Sequence, residues 1–421
     1  MKHPWKAGKL LSRKDWAAYR RQVLQDCRDC RVPPSEYFTL ARFPLLMEPR
    51  TWRKLSHMAE KLTREVLAAE RELIRRPDLH ADLGIPANIR AALSECTRIG
   101  SPRGAARVMR FDFHFTPQGW RITEVNADVV GGFIEGAGMT DLMAAYVPRY
   151  ATPDNPARTY AEAARKATGK GAAIIFVRNA LFARYRGIKA LAREMRRQGL
   201  RPLMRKPGQL NWSAGFAHTA DSRRRARPAL LIRFFNTDWL PRLHRRSQWT
   251  PWFAGGKTPM SNPGTSVLIQ SKRLPLIWDK LRSPMTTWRA LLPETRCPSE
   301  LDASALKDWV LKPVLGRVGV GLAMPGITEE AKYKKILRQA RRDPTGWAAQ
   351  RLFESVPVPT PQGPRHICLG IFTIAGRAAG AYARMTAKPL VDGYAEEIAL
   401  LIRGGGGQKS NPSGPSAEKF N

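Results

Sequence analysis

From Thr51 onward, Trp52, Leu55, Met58, Leu62, Val66, Ala69 and Leu73 recur at steps of three and four. That spacing predicts one amphipathic helix running to Pro77, with Arg53, Lys54, Glu60, Lys61, Arg64 and Glu65 on its opposite face. Near Val108 the period changes to two. Val108-Met-Arg-Phe-Asp-Phe-His-Phe115 and Trp120-Arg-Ile-Thr-Glu-Val125 each alternate apolar and polar residues. With Thr116-Pro-Gln-Gly119 between them they predict a β-hairpin on a four-residue loop. Asn126-Ala-Asp-Val-Val-Gly-Gly132 then leaves the sheet in a glycine-bearing loop.

Further on, Ala172–Val177 reads as a buried strand, Gly187–Gln198 as an amphipathic helix, and Arg201–Met204 and Ala229–Phe235 as strands. Strand, helix, strand in this order predicts a small doubly wound unit, without a glycine fingerprint for a dinucleotide. From Thr265 short strands and helices alternate, with Trp309–Gly321, Trp347–Phe353 and Ile371–Met385 the clearest segments. The Gly/Ser/Pro-rich stretch after Arg403 predicts a disordered tail. The boundaries expected are 1–100 for a mainly helical region, 101–150 for the hairpin segment, 151–260 for the doubly wound unit, 261–402 for the remaining core and 403–421 for the tail.

Composition narrows the class. The 421 residues are 43% hydrophobic and 25% charged, ordinary values for a globular chain of several subdomains. No stretch reaches the roughly 18 apolar residues of a membrane span. The first residues, Met1-Lys-His-Pro-Trp-Lys, lack the apolar core of a secretory signal, so a cytoplasmic protein is expected. Five scattered cysteines argue against a disulfide framework. Cys27 and Cys30 form a C-x-x-C without a second pair to complete a zinc site. Lys and Arg total 71 against 35 acidic residues, a formal charge of +36. Such a surface either attracts acidic partners or is simply solvated. No nucleic-acid-reading module accompanies it, so nucleic acid is not the expected partner.

The candidate chemistry begins on the hairpin. Asp112 lies on its first strand and Glu124 on its second, nearly opposite, and Asn126 shares the Glu124 face. Two carboxylates and an amide oxygen make a hard-oxygen set suited to Mg²⁺ carrying phosphates, and Arg110 adds a cation on the same face. The alternative is a hairpin with a polar, solvated face. Lys312 ends an apolar strand ahead of Gly316, Gly319 and Gly321, a pattern that suits phosphate oxygens and equally suits a flexible turn. Lys272 is a lone cation of the same kind, and Arg384 closes an alternating strand where a salt bridge would also explain it.

In chain order, Arg110-Phe-Asp-Phe, Thr123-Glu-Val-Asn-Ala-Asp128, Ser271-Lys-Arg-Leu-Pro-Leu-Ile-Trp278, Leu311-Lys-Pro and Tyr382-Ala-Arg384 resemble the glutathionylspermidine synthase family. The resemblance spans roughly residues 40–402. It implies an α/β fold of the ATP-grasp type in circularly permuted form, since Glu-x-Asn precedes the two lysines here. The doubly wound unit would be its pre-ATP-grasp-like part, and the amidase domain of some members has no counterpart. By resemblance Asp112, Glu124 and Asn126 match magnesium ligands, and Arg110 and Arg384 match arginines at the transferred phosphate. Lys272 and Lys312 match ATP-contacting lysines, Gly316 and Gly319 sit in the phosphate loop, and Gln350 lies in the adenine segment. The implied reaction joins a small carboxylate, for instance a peptide such as glutathione, to an amine, using ATP and Mg²⁺. Three departures bear on the substrate: Val314-Leu-Gly-Arg-Val-Gly319 lacks the family's acidic residue, Met385 and Thr386 replace acidic residues, and Val129-Val-Gly-Gly replaces Thr-Pro. They leave room for a non-catalytic, nucleotide- or partner-binding descendant.

Overall fold

The computed structural model describes residues 3–26, 39–178, 186–220, 227–244, 247–302, 305–317 and 319–404. Cys27, Cys30, most of the basic run 222–227 and most of the glycine-rich tail lie outside the described residues.

An antiparallel five-stranded sheet holds the centre. Its strand order is Glu396–Ile398, Arg377–Thr386, His366–Ile374, Val108–Thr116 and Gly119–Asn126. The alternation seen in the sequence decides which residues go where. Phe111, Phe113, Leu369, Ile371, Ala381 and Ala383 fill the main core on one face. The other face carries Arg110, Asp112, Tyr382 and Arg384 into a cavity.

The long helix Pro49–Ile74 covers the apolar face. Pro49 sits in its first turn, where a missing N–H costs nothing, and Leu55, Ala59, Leu62, Val66, Ala69 and Leu73 are buried. Two polar contacts fix its position: the hydroxyls of Thr63 and Thr373 meet at 2.8 Å, and Glu60 accepts from the Ala378 amide at 3.1 Å. The first hundred residues also contribute strands, which their helical periodicity did not announce. Trp5–Ala7 and Leu45–Met47 join Leu400–Arg403 and Tyr150–Ala151 in a four-stranded sheet, so both ends of the described chain meet there.

The hairpin differs from expectation in two linked ways. Thr116 pairs with Gly119, leaving a two-residue turn at Pro117-Gln118 instead of a four-residue loop. Phe113 pairs with Ile122 but Phe111 pairs with Val125, so Asp112 faces both Thr123 and Glu124 across a β-bulge. The extra residue changes parity on the second strand. Ile122 and Val125, three apart, both reach the core, while Glu124 and Asn126 line the cavity.

The strands Met260–Ser261, Leu230–Phe234, Ala173–Arg178 and Arg201–Arg205 form a parallel sheet in that order. Helices Pro156–Thr168 and Arg186–Arg197 cover one face through Ala161, Ala164, Ile188 and Leu191. The other face, with Ile175, Val177 and Leu231, packs on Leu210, Ala217, Leu240 and Trp252 from a short hairpin and 3-10 turns. Among the described residues the α-helices thus flank this sheet on one side, where the doubly wound expectation puts them on both. A three-stranded sheet, Thr295–Arg296, Trp347–Arg351 and Trp309–Pro313, lies under helix Glu330–Arg342.

Candidate functional site

The central sheet, the three-stranded sheet and the end of the strand Leu230–Phe234 converge on a cavity of about 380 Å³. Arg110, Asp112, Glu124, Asn126, Lys272, Lys312, Gly316, Gly319, Gln350 and Arg384 all line it. Ten residues drawn from five segments of chain therefore meet in one place.

Asp112 is the hub. It is 2% exposed, and Arg110 donates to both its oxygens, Nε to Oδ1 at 2.7 Å and Nη2 to Oδ2 at 3.0 Å. Arg384 Nη2 approaches Oδ2 at 3.4 Å and the Asn126 amide lies 3.5 Å from the same oxygen. Burial alone would raise the Asp112 carboxyl, but the Arg110 charge and hydrogen bonds, with Arg384 behind them, hold it below the usual carboxylate range. The fork geometry depends on Gly370, which is paired with Asp112 on the neighbouring strand. A Cβ there would sit 2.6 Å from Arg110 Cδ and 3.0 Å from Asp112 Oδ1.

The second charged group is built around Glu124. Lys272 Nζ lies 3.1 Å from Glu124 Oε2 and donates to the Gly316 carbonyl at 2.9 Å, tying the glycine loop to the hairpin. Lys312 Nζ donates to Gln350 Oε1 at 2.6 Å and reaches the Thr123 carbonyl at 3.3 Å. Burial pushes the Lys312 ammonium down to about 8; Glu124 opposes that shift and Lys272 adds to it. Arg317, next in the loop, pairs with Asp238 and lies over the Trp239 ring at 5.4 Å. Val310, Leu322, Met324, Leu352 and Phe353 give the Lys312 end apolar walls.

Several lining residues carried no sequence signal beyond parity. His114 follows Arg110 and Asp112 on the same face, tilts against Phe353 at 5.4 Å, and is pushed by burial down to about 4, so the imidazole is neutral at pH 7. Tyr382 alternates with Arg384, and its hydroxyl donates to Glu397 Oε1 at 2.8 Å. Burial, reinforced by Glu135, raises the Glu397 carboxyl to about 8. Cys368, opposite Arg384, is a buried thiol raised to about 12, first by burial and then by Asp112.

Among the described residues no three His, Cys, Asp or Glu side chains gather as a metal-binding group. The set Asp112, Glu124 and Asn126 has two carboxylates and an amide. This suits a cation such as Mg²⁺, which keeps waters and takes most of its remaining ligands from phosphates. Turning the Asn126 amide over would present its oxygen to such a cation. Arg110, Lys272, Lys312 and Arg384 place four cations against Asp112 and Glu124, so the cavity is also matched to an anion. No helix among the described residues is long and apolar enough to cross a membrane.

No family model matches the chain, and a search of curated proteins returns no match. Among solved structures the chain shares its fold with a glutathione synthetase-like effector from Globodera pallida in apo form. That match has a TM-score of 0.63 at 12% identity and covers 92% of this chain and 96% of that one. A second match, to a putative gamma-glutamylcysteine synthetase from Methylobacillus flagellatus KT, has a TM-score of 0.45 at 10% identity over 79% of this chain and 87% of that one.

Proposed function

We propose that this chain is an ATP-dependent carboxylate–amine ligase with a circularly permuted ATP-grasp architecture, related in mechanism to glutathionylspermidine synthase. The observation that carries the reading is the convergence of the ten residues named from the sequence on one cation-rich cavity. The fold shared with a glutathione synthetase-like protein supports it.

Lys312 and Lys272 neutralise nucleotide phosphates, and Gln350 offers its amide beside Lys312 at the apolar, adenine-accepting end. Arg110 and Arg384 stand at the transferred phosphoryl group, offsetting charge that develops on its oxygens. Asp112, Glu124 and Asn126 would hold Mg²⁺, which supplies further neutralisation at those oxygens. Gly316 and Gly319 let backbone amides approach the phosphate oxygens closely. The carboxylate becomes an acyl phosphate as ADP departs. Attack by an amine then forms the amide and releases phosphate. Both organic substrates are small molecules, and the expected compartment is the cytoplasm.

The test is calorimetry of Mg·ATP binding to the full chain and to the Asp112→Asn, Glu124→Gln double variant. Loss of binding in the variant is expected; unchanged affinity would sink the metal assignment. Release of ADP and phosphate across a panel of acids and amines then tests ligation. A second reading, a non-catalytic nucleotide-binding protein, is favoured by the Arg110 fork that occupies both Asp112 oxygens. Tight Mg·ATP binding with no turnover on any acid–amine pair would select it.

A further inference from the structure

Arg384 is poorly held by hydrogen bonds for a buried cation. Its Nη2 reaches Asp112 Oδ2 at 3.4 Å and Cys368 Sγ at 3.8 Å, both long, and its Nε is buried without a partner. Arg110 Nη2 lies 3.0 Å from the same Asp112 oxygen, so two guanidiniums crowd one carboxylate and repel each other. The long Asp112 contact leaves the place of Arg384 to be fixed by further neighbours.

The Tyr382 ring meets that need. Its centroid is 5.0 Å from the Arg110 guanidinium carbon and 5.3 Å from that of Arg384. The negative ring face attracts both cations, most strongly away from water. The ring itself is fixed at two points. Its hydroxyl donates to Glu397 Oε1 at 2.8 Å, and Gly132, at φ +93°, lies so close that a Cβ would sit 2.8 Å from Tyr382 Cδ1. Gly370 is paired with both Tyr382 and Asp112 and places no side chain between them.

We propose that Tyr382 is a positioning residue whose ring holds Arg110 and Arg384 together over Asp112, in register for a transferring phosphoryl group. The proposal rests on the ligase reading for its consequence, though not for its geometry. Two measurements on the full-length protein separate the two. The first is ¹⁵N NMR of the Arg384 Nε–H, assigned with Arg384→Lys, which reports guanidinium rotation without any ligand. The second compares affinity for Mg·ATP with affinity for Mg·ADP plus aluminium fluoride, a mimic of the phosphoryl group in flight.

Tyr382→Leu should speed Arg384 rotation and weaken the mimic at least about tenfold while leaving Mg·ATP within about threefold. Tyr382→Phe keeps the ring and its Gly132 contact but loses the Glu397 anchor, and should stay much closer to the parent than leucine does in both measurements. If the leucine variant does not fold, Tyr382→Met, whose flexible thioether adapts to an irregular gap and has no ring face, replaces it. Unchanged Arg384 rotation in the ring-less variant would overturn the proposal, as would a phenylalanine variant as impaired as leucine. A parent protein that binds neither nucleotide species would refute the ligase reading, and the rotation measurement would still decide the role of Tyr382.

Discussion

Replacing Lys312 by methionine should stabilise the ligand-free protein at pH 7 while abolishing the nucleotide binding proposed for it. Lys312 is 7% exposed, and burial lowers its ammonium from 10.5 to about 8. Glu124 and Asp112 pull it back up and Lys272 pushes it further down. At about 1.4 kcal/mol per unit, holding that charge in the folded chain costs about 3 kcal/mol. The sign follows from proton counts. Between about 8 and 10.5 the unfolded chain binds a proton that the folded one has released, so parental stability rises with pH through that window. Below 8 both states are protonated and the full cost is carried. Methionine removes the cost but leaves Gln350 Oε1 and the Thr123 carbonyl without their donor, a loss of about 1–2 kcal/mol softened by water in the cavity. The net expectation is a gain of about 1–2 kcal/mol at pH 7 that vanishes at about pH 9 to 10 and becomes a deficit of about 1–2 kcal/mol by about pH 10.5, where the parent no longer carries the cost. Urea unfolding of both proteins at pH 7 and pH 10 measures the difference. A pH-independent difference, or a methionine variant less stable by more than about 1 kcal/mol at pH 7, would refute the reasoning.

Gly370→Ala should break the Arg110–Asp112 fork, since its Cβ would lie 2.6 Å from Arg110 Cδ; nucleotide turnover should fall at least about tenfold with a stability loss of about 1–3 kcal/mol, read by activity and thermal melts. Glu397→Gln keeps an acceptor for the Tyr382 hydroxyl but cannot ionise. Because the folded carboxyl titrates at about 8 and the unfolded one at 4.5, the parent loses stability as pH rises between those values. The glutamine variant should therefore match it near pH 4.5 and exceed it by a few kcal/mol above pH 8, as denaturant titrations at the two ends would show. Arg233→Met should destabilise the chain by about 3–5 kcal/mol, because Arg233 is wholly buried against Asp128 and its loss strands that carboxylate. The double change Arg233→Met, Asp128→Asn should recover part of the loss in the same melts.

Periodicity was enough to locate the elements that carry this site. The step of three and four from Trp52 to Leu73 produced the long helix, and alternation about Asp112 produced the hairpin, because each pattern has one apolar face to bury. The same alternation, read strictly, sets Ile122 and Glu124 on one face. The bulge opposite Asp112 separates them, and local alternation does not encode it. Strands Trp5–Ala7 and Leu45–Met47 were hidden for a related reason: three residues are too few to show a period, and their partner Leu400–Arg403 lies at the far end of the chain.

By itself, then, the sequence determined the residue types of the site and their order: Arg110, Asp112, Glu124 and Asn126 first, Lys272, Lys312 and Gln350 next, Arg384 last. It also determined which strand face each would occupy, up to one bulge. Tertiary structure alone decided that Lys272 meets Glu124, that Arg384 joins Arg110 on one carboxylate, and that a tyrosine ring and two bare glycine positions make room for them. The physical reason is range. Side-chain period is a local property of the backbone, whereas the pairing of charges depends on contacts between segments that only the closed sheets bring together.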